Sequence, residues 1–265
     1  MPPEEAKLFL TKGMTIDISS FEISIDETGK ISSIGPIIHT GLDMCPYWLG
    51  IAYDNLLETE KVHYRLEAAV NDKNDPLVGD MLQKEFIVGM QVVMAGCIAI
   101  DSYYASIKQF ANIPEEIIQK WKTKRTARYS QIAETLKIVF YLPQDIFQQI
   151  REVLKQCFKL RDMAVHPKHG TDLPVLYPEI NKITDWRYSA FRFTNAKAVA
   201  GYSLSFILQT AKQKKPNKDK KLIAYCDTLA EKIEPIYSKW INSYGELFTK
   251  KSNQTLQPTA NSRVG

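Results

Sequence analysis

The chain lacks the short signatures that announce the commoner chemistries. Its four cysteines, Cys45, Cys97, Cys157 and Cys226, lie far apart, and no C-x-x-C pair occurs. Zinc knuckles and redox dithiols are therefore excluded. Four scattered thiols read better as buried side chains in a reducing compartment than as a disulfide framework. There is no glycine-rich phosphate loop, no G-x-S-x-G and no H-E-x-x-H. These absences argue against P-loop ATPases, serine hydrolases and zinc proteases. The first ten residues carry Glu4 and Glu5 and no basic start before a long apolar run, so no secretory leader is expected. The most apolar stretch, Phe86 to Ile100, is about 15 residues long and contains Gln91, which is short for a membrane span. A cytoplasmic protein without membrane, metal or cofactor is the expectation.

What is present is ordinary globular material. The 265 residues are 45% hydrophobic and 24% charged, enough for one large domain with a sizeable core. The net charge of +4 permits an anionic partner without demanding one. Residues 15 to 35 alternate in strand fashion. Thr15 to Ile18 and Phe21 to Ile25 lead to a turn at Glu27-Thr28-Gly29-Lys30, and Ile31 to Ile34 return, predicting a small β-hairpin. From about Tyr47 the period becomes helical. Helices are predicted over 46–70, 77–111, 114–141, 143–165, 186–213 and 218–249, with prolines near the breaks. The 167–185 segment, with Pro167, Gly170, Pro174 and Pro178, reads as a long irregular loop. The fold class is all-α: an antiparallel, up-down helical bundle. The organisation is an N-terminal hairpin over 1–40, a bundle over 41–250 and a disordered polar tail over 251–265.

The most informative stretch is Arg161-Asp162-Met163-Ala164-Val165-His166-Pro167. The helix before it carries Ile146, Ile150, Val153, Leu154, Cys157 and Phe158 at helical spacing. Arg161 falls four residues after Cys157, so a guanidinium lies on the apolar stripe, which is costly unless it is paired. His166 precedes a proline, which ends the helix there. An arginine suited to phosphate and a histidine, a residue type that titrates near neutral pH, thus share one helix end. A second charge interrupts an apolar stripe on the 77–111 helix, where Met90, Met94 and Cys97 are followed by Asp101. Asp101 and Arg161 could form a purely structural pair. Equally, Asp101 could orient Arg161 or His166 beside a reaction centre, and the sequence leaves both open.

Leu160 to Pro167 resembles the signature of the HEPN superfamily: arginine, a polar residue, three to five more residues, then histidine. Ile98-Ala99-Ile100-Asp101-Ser102-Tyr103-Tyr104 resembles the family's acidic second-helix segment. The resemblance covers roughly residues 80 to 210. It implies an up-down bundle that pairs as a homodimer, in which two motifs face each other and cleave RNA without metal. It makes Arg161 and His166 the active pair and Asp162 the supporting polar residue. Many such proteins are toxins, with or without an antitoxin partner, or act in defence against phage. Others have lost catalysis and only bind.

The chemistry fits the residue types. RNA cleavage needs a proton removed from a 2′-hydroxyl and a crowded anionic phosphorus centre stabilised. A histidine can move the proton and an arginine can hold the oxygens. Lys120, Lys124 and Arg128 recur every four residues, and with Lys168 they form the expected RNA-binding set; a plain solvated helix face is the competing reading. The lysines between 212 and 221 read as a solvated loop. His39 and His169 are weaker site candidates, and His63 reads as structural. Trp48, Tyr103, Tyr104, Trp186, Phe191 and Phe193 are expected to fill the core.

Overall fold

The computed structural model describes residues 10–18, 22–34, 38–166, 173–213 and 219–247. At the N-terminus, β1 (Met14–Ile18), β2 (Glu22–Ile25), β3 (Ile31–Ile34) and β4 (Ile38–Leu42) form two antiparallel pairs, β1 with β4 and β2 with β3. The pairings Met14↔Leu42 and Glu22↔Ile34 keep the same offset, so both pairs belong to one ribbon register. The turn is set by Asp26, whose Oδ1 accepts from Thr28 N (2.9 Å) and Lys30 N (3.0 Å), with Gly29 at φ +79°. The expected hairpin is present, and the outer pair extends it. Gly41 and His39 sit within β4, a composition that does not read as a strand. Ile16, Ile18, Ile23, Ile25, Ile31 and Ile38 remain exposed on this ribbon.

The rest is mostly helical. α1 (Cys45–Asn71) buries Cys45, Leu49, Ala52, Leu56, Thr59, Val62, His63, Leu66 and Ala69, which is one inward stripe of helical period. A three-residue link folds α2 (Asp75–Lys108) back along it, started by the Asn74 side chain, which accepts from Leu77 N at 3.3 Å. α2 is the axis of the molecule, packing against α1 and against the helical segments 128–140, 144–165, 186–190 and 193–212. It is buried nearly all round between Val92 and Ile100. Its length and apolarity would suffice to cross a membrane, with a mean hydropathy of 1.6 over its most apolar window. Here half of that window is buried inside the bundle.

Two expected helices are each split. The 114–141 segment is α3 (Glu115–Thr123) and α4 (Arg128–Phe140), separated by Arg125 at φ +47°. No glycine or proline marks that break. Trp121 is buried and donates to Glu134, which ties α3 to α4 across the break. α5 (Gln144–Val165) follows after Tyr141, itself left-handed at φ +50°. Its buried stripe is Phe147, Leu154, Cys157 and Phe158, whereas Ile146 and Val153 lie outward. The periodicity thus runs through Phe147 rather than Ile146, a rotation of one residue.

Where an irregular loop is expected after α5, residues 173–185 instead form a short hairpin. It comprises β5 (Val175–Tyr177), a 3-10 turn at Pro178–Ile180 and β6 (Lys182–Thr184). Pro167 to Asp172, which include Lys168 and His169, lie outside the described residues, as does the tail from 248 onward. Lys214, Lys215, Pro216 and Lys218 do too. The 186–213 helix is α6 (Trp186–Ala190) and α7 (Phe193–Lys212). At their junction the backbone of Phe191 lies so close to Gly89 of α2 that an added Cβ would meet its carbonyl oxygen at 2.0 Å. α8 (Lys220–Tyr244) closes the core over α7 and α1. Of the aromatics expected inside, Tyr103, Tyr104, Phe191 and Phe193 are buried and Trp48 packs at the core's edge. Trp186 does not join them.

Candidate functional site

The two stripe-interrupting charges meet. The Cys97 thiol donates to the Cys157 carbonyl at 3.5 Å. One turn further along each helix, Arg161 Nη1 donates to Asp101 Oδ2 at 3.1 Å. The equal spacing means that α2 and α5 run in the same direction here, so their charged turns coincide. Asp101 also accepts on Oδ1 from Nε of Arg128, the first residue of α4, at 2.7 Å. One carboxylate therefore holds two guanidiniums. Arg161 is held further by Asp162, which accepts from its Nε (3.1 Å) and Nη2 (2.7 Å). Each guanidinium lies over an aromatic face, Arg161 at 4.3 Å from the Phe158 ring centre and Arg128 at 4.2 Å from that of Tyr104. The network is not sealed in the core: side-chain exposure is 22% for Arg161, 26% for Asp101 and 40% for Arg128.

These groups open into a cleft of about 770 Å³, within the range of small-molecule sites. His166, just past the end of α5, is exposed and lines the same cleft as Arg161, Asp162 and Arg128. Lys155 and Lys159 add charge, although Lys155 also approaches Glu152 at 3.5 Å. Tyr129, Phe158, Met163, Leu173, Val175 and Trp186 supply apolar wall. Lys155, Lys159, Asp162 and His166 share one helix face at the spacing i, i+4, i+7, i+11. The sequence carried that signal, but only the cleft gives it meaning. Trp186, expected from the sequence to fill the core, lines the cleft instead.

The expected RNA-binding stripe is not one surface. Lys120 lies on α3 and Lys124 ends it, both exposed and away from the cleft lining, whereas Arg128 starts the next helix inside the cleft. The regular four-residue spacing spans a break and is no longer helical geometry. His39 lies in β4 opposite Asp17, far along the chain from these residues and not among the cleft lining. Among the described residues no three His, Cys, Asp or Glu side chains are grouped as metal ligands. The four cysteines are free and buried. Burial pushes the Cys157 thiol up to about 12 and that of Cys97 well above its ordinary value.

A second, buried polar cluster involves residues that do not line the cleft. Glu85 of α2 is 1% exposed, and its Oε1 lies 2.9 Å from His63 Nδ1 and accepts from Phe193 N at 2.9 Å. Its Oε2 accepts from the Tyr177 hydroxyl at 2.7 Å. A buried carboxylate needs such partners. Together they fix β5 and the start of α7 to α1 and α2, and the chain between them carries the wall residue Trp186. Burial of the His63 ring works against its charged form. The Glu85 hydrogen bond and the charges of Glu85, Glu67 and Glu179 outweigh it and raise the pKa. His63 is thus structural, as its sequence context suggests.

Comparison with protein-family models, with curated proteins and with solved structures finds no match to this chain.

Proposed function

We propose that the chain is a metal-independent endoribonuclease of HEPN type, acting in the cytoplasm as a homodimer in a toxin or defence setting. The single observation that carries the reading is that Arg161 and His166, five residues apart across a helix end, line one open cleft with a second arginine beside them. In this reading a His166 imidazole takes the proton of a 2′-hydroxyl. The freed oxygen bonds to the adjacent phosphorus as the bond from phosphorus to the 5′-oxygen breaks. The leaving oxygen takes a proton, and the products are a cyclic 2′,3′-phosphate and a 5′-hydroxyl. Arginine stabilises the charge on the phosphoryl oxygens. One imidazole per cleft does not easily serve both sides of the phosphorus, so two paired copies supply base and acid. The up-down bundle of the superfamily agrees with the way α2 folds back on α1. DNA lacks the attacking hydroxyl and resists this route.

The test is cleavage of cellular RNA in EDTA by the wild-type protein and by His166→Ala. Cleavage by the wild type is expected, with a loss of at least about 100-fold in the variant. Equal cleavage by both, or none by either, removes the catalytic reading. A non-catalytic binding module of the same fold, serving an antitoxin or defence complex, is the second reading. It is favoured by the engagement of Arg161 with two carboxylates. It predicts a folded protein that leaves RNA intact and loses its partner when exposed residues are changed.

A further inference from the structure

Arg128 and Arg161 differ in what remains of their hydrogen-bonding capacity. A guanidinium carries five N–H donors. Arg161 engages Nε, Nη1 and Nη2 with Asp101 and Asp162. Arg128 engages Nε alone, with Asp101. Among the described residues both of its terminal nitrogens meet no acceptor, and Arg128 is the more exposed of the two. Its position is nonetheless fixed, by the Asp101 bond at the base of the fork and by the Tyr104 ring against its face. A fork held at its base, with its outer donors open, loses little freedom on binding. It matches two oxygens of a phosphate ester. The cleft around it combines cations, Arg161 and Lys159, with an apolar and aromatic wall that includes Val175 and Trp186. That wall suits a ring, and the pairing of ring and phosphate is that of a nucleotide unit.

We infer that Arg128 is the principal phosphate ligand of the cleft, that Arg161 is chiefly held in place by its own carboxylates, and that the ligand is one nucleotide unit with its base against the Trp186 wall. The inference rests on the site of the proposed nuclease and reassigns the phosphate-gripping role within it. It needs neither catalysis nor the lysines of α3.

The experiment is calorimetric titration of the full chain with adenosine monophosphate and, separately, with a short all-deoxy oligonucleotide, neither of which offers an internal 2′-hydroxyl for cleavage. Wild-type protein binds at least one probe. Arg128→Ala weakens that binding by about ten-fold or more. Arg128→Lys, which keeps the charge but not the fork, recovers only part of it, and the paired change Lys120→Ala with Lys124→Ala stays within about two-fold. Preference for the monophosphate assigns the site to a chain end or free nucleotide, and preference for the oligonucleotide assigns it to an internal linkage. A circular dichroism melt of each variant checks folding. If Arg128→Ala does not fold, Arg128→Lys and Trp186→Leu decide, each expected to weaken binding about three-fold or more. No binding of either probe by wild-type protein, or binding indifferent to residue 128, overturns the inference. Arg128-dependent binding without RNA cleavage upholds it while removing the nuclease reading. Cleavage that ignores residue 128 does the reverse.

Discussion

At the scale of single residues, Asp101 is the group on which most depends. It accepts from two arginines that would otherwise face each other. Asp101→Ala is expected to cost about 1–3 kcal/mol, between the values for exposed and buried pairs, because the site is only partly exposed. Arg161→Ala should cost less, since Arg128 still neutralises the carboxylate. Urea unfolding of the two variants measures the order, and an equal or inverted order would show that the bridge does not hold both arginines. His63 yields a pH prediction. Folding raises its pKa, so protonation stabilises the fold. That contribution is complete below the ordinary imidazole value and is lost as pH climbs through the raised one. Wild-type protein should therefore lose more stability than His63→Gln does as pH rises from about 6 through the raised value. Parallel pH profiles for the two proteins would refute it.

At the scale of elements, the contact between α2 and the α6–α7 junction is the tightest packing described. Gly89 has no room for a side chain, and the obstructing atoms are the Phe191 backbone, which cannot swing aside. Gly89→Ala should cost about 3 kcal/mol and lower the melting temperature accordingly. A near-neutral change would mean that the two elements stand further apart. The same contact sets the wall of the cleft, because α6 begins with Trp186. Helix starts and stops were mostly legible: Pro76 and Pro143 mark the starts of α2 and α5, and Pro167 follows the end of α5. The break at Arg125 was not, because a buried Trp121 and its Glu134 partner impose it, and neither is a local breaking signal.

At the scale of the whole molecule, the ribbon and the bundle are physically separate contributions. Among the described residues the core begins at Cys45 and holds none of the ribbon. The described ties are the Tyr47 hydroxyl donating to the Lys12 carbonyl (3.3 Å) and Lys232 Nζ donating to that of Gly13 (3.2 Å). Removing residues 1–42 should leave helical circular dichroism and cooperative unfolding intact, at a cost of about 1–3 kcal/mol for the lost bonds. Loss of cooperative folding would show that the ribbon is part of the core after all. An isolated two-stranded ribbon with exposed isoleucines is marginal in water, so its stability is a further measure of whether a second copy covers it.

The sequence by itself determined the helical class, the N-terminal strands and the pairing-prone charges at Asp101 and Arg161. It could do so because amphipathic period, prolines and turn residues act over a few neighbours, and a charge on an apolar stripe must find a partner. It also marked His166 as the end of a helix. Only the tertiary structure decided that Arg128 leaves the lysine stripe and joins the cleft, that Trp186 becomes wall rather than core, and that Asp101 serves two arginines. Those outcomes depend on where separate helices come to lie against one another, and no local run of residues encodes that placement.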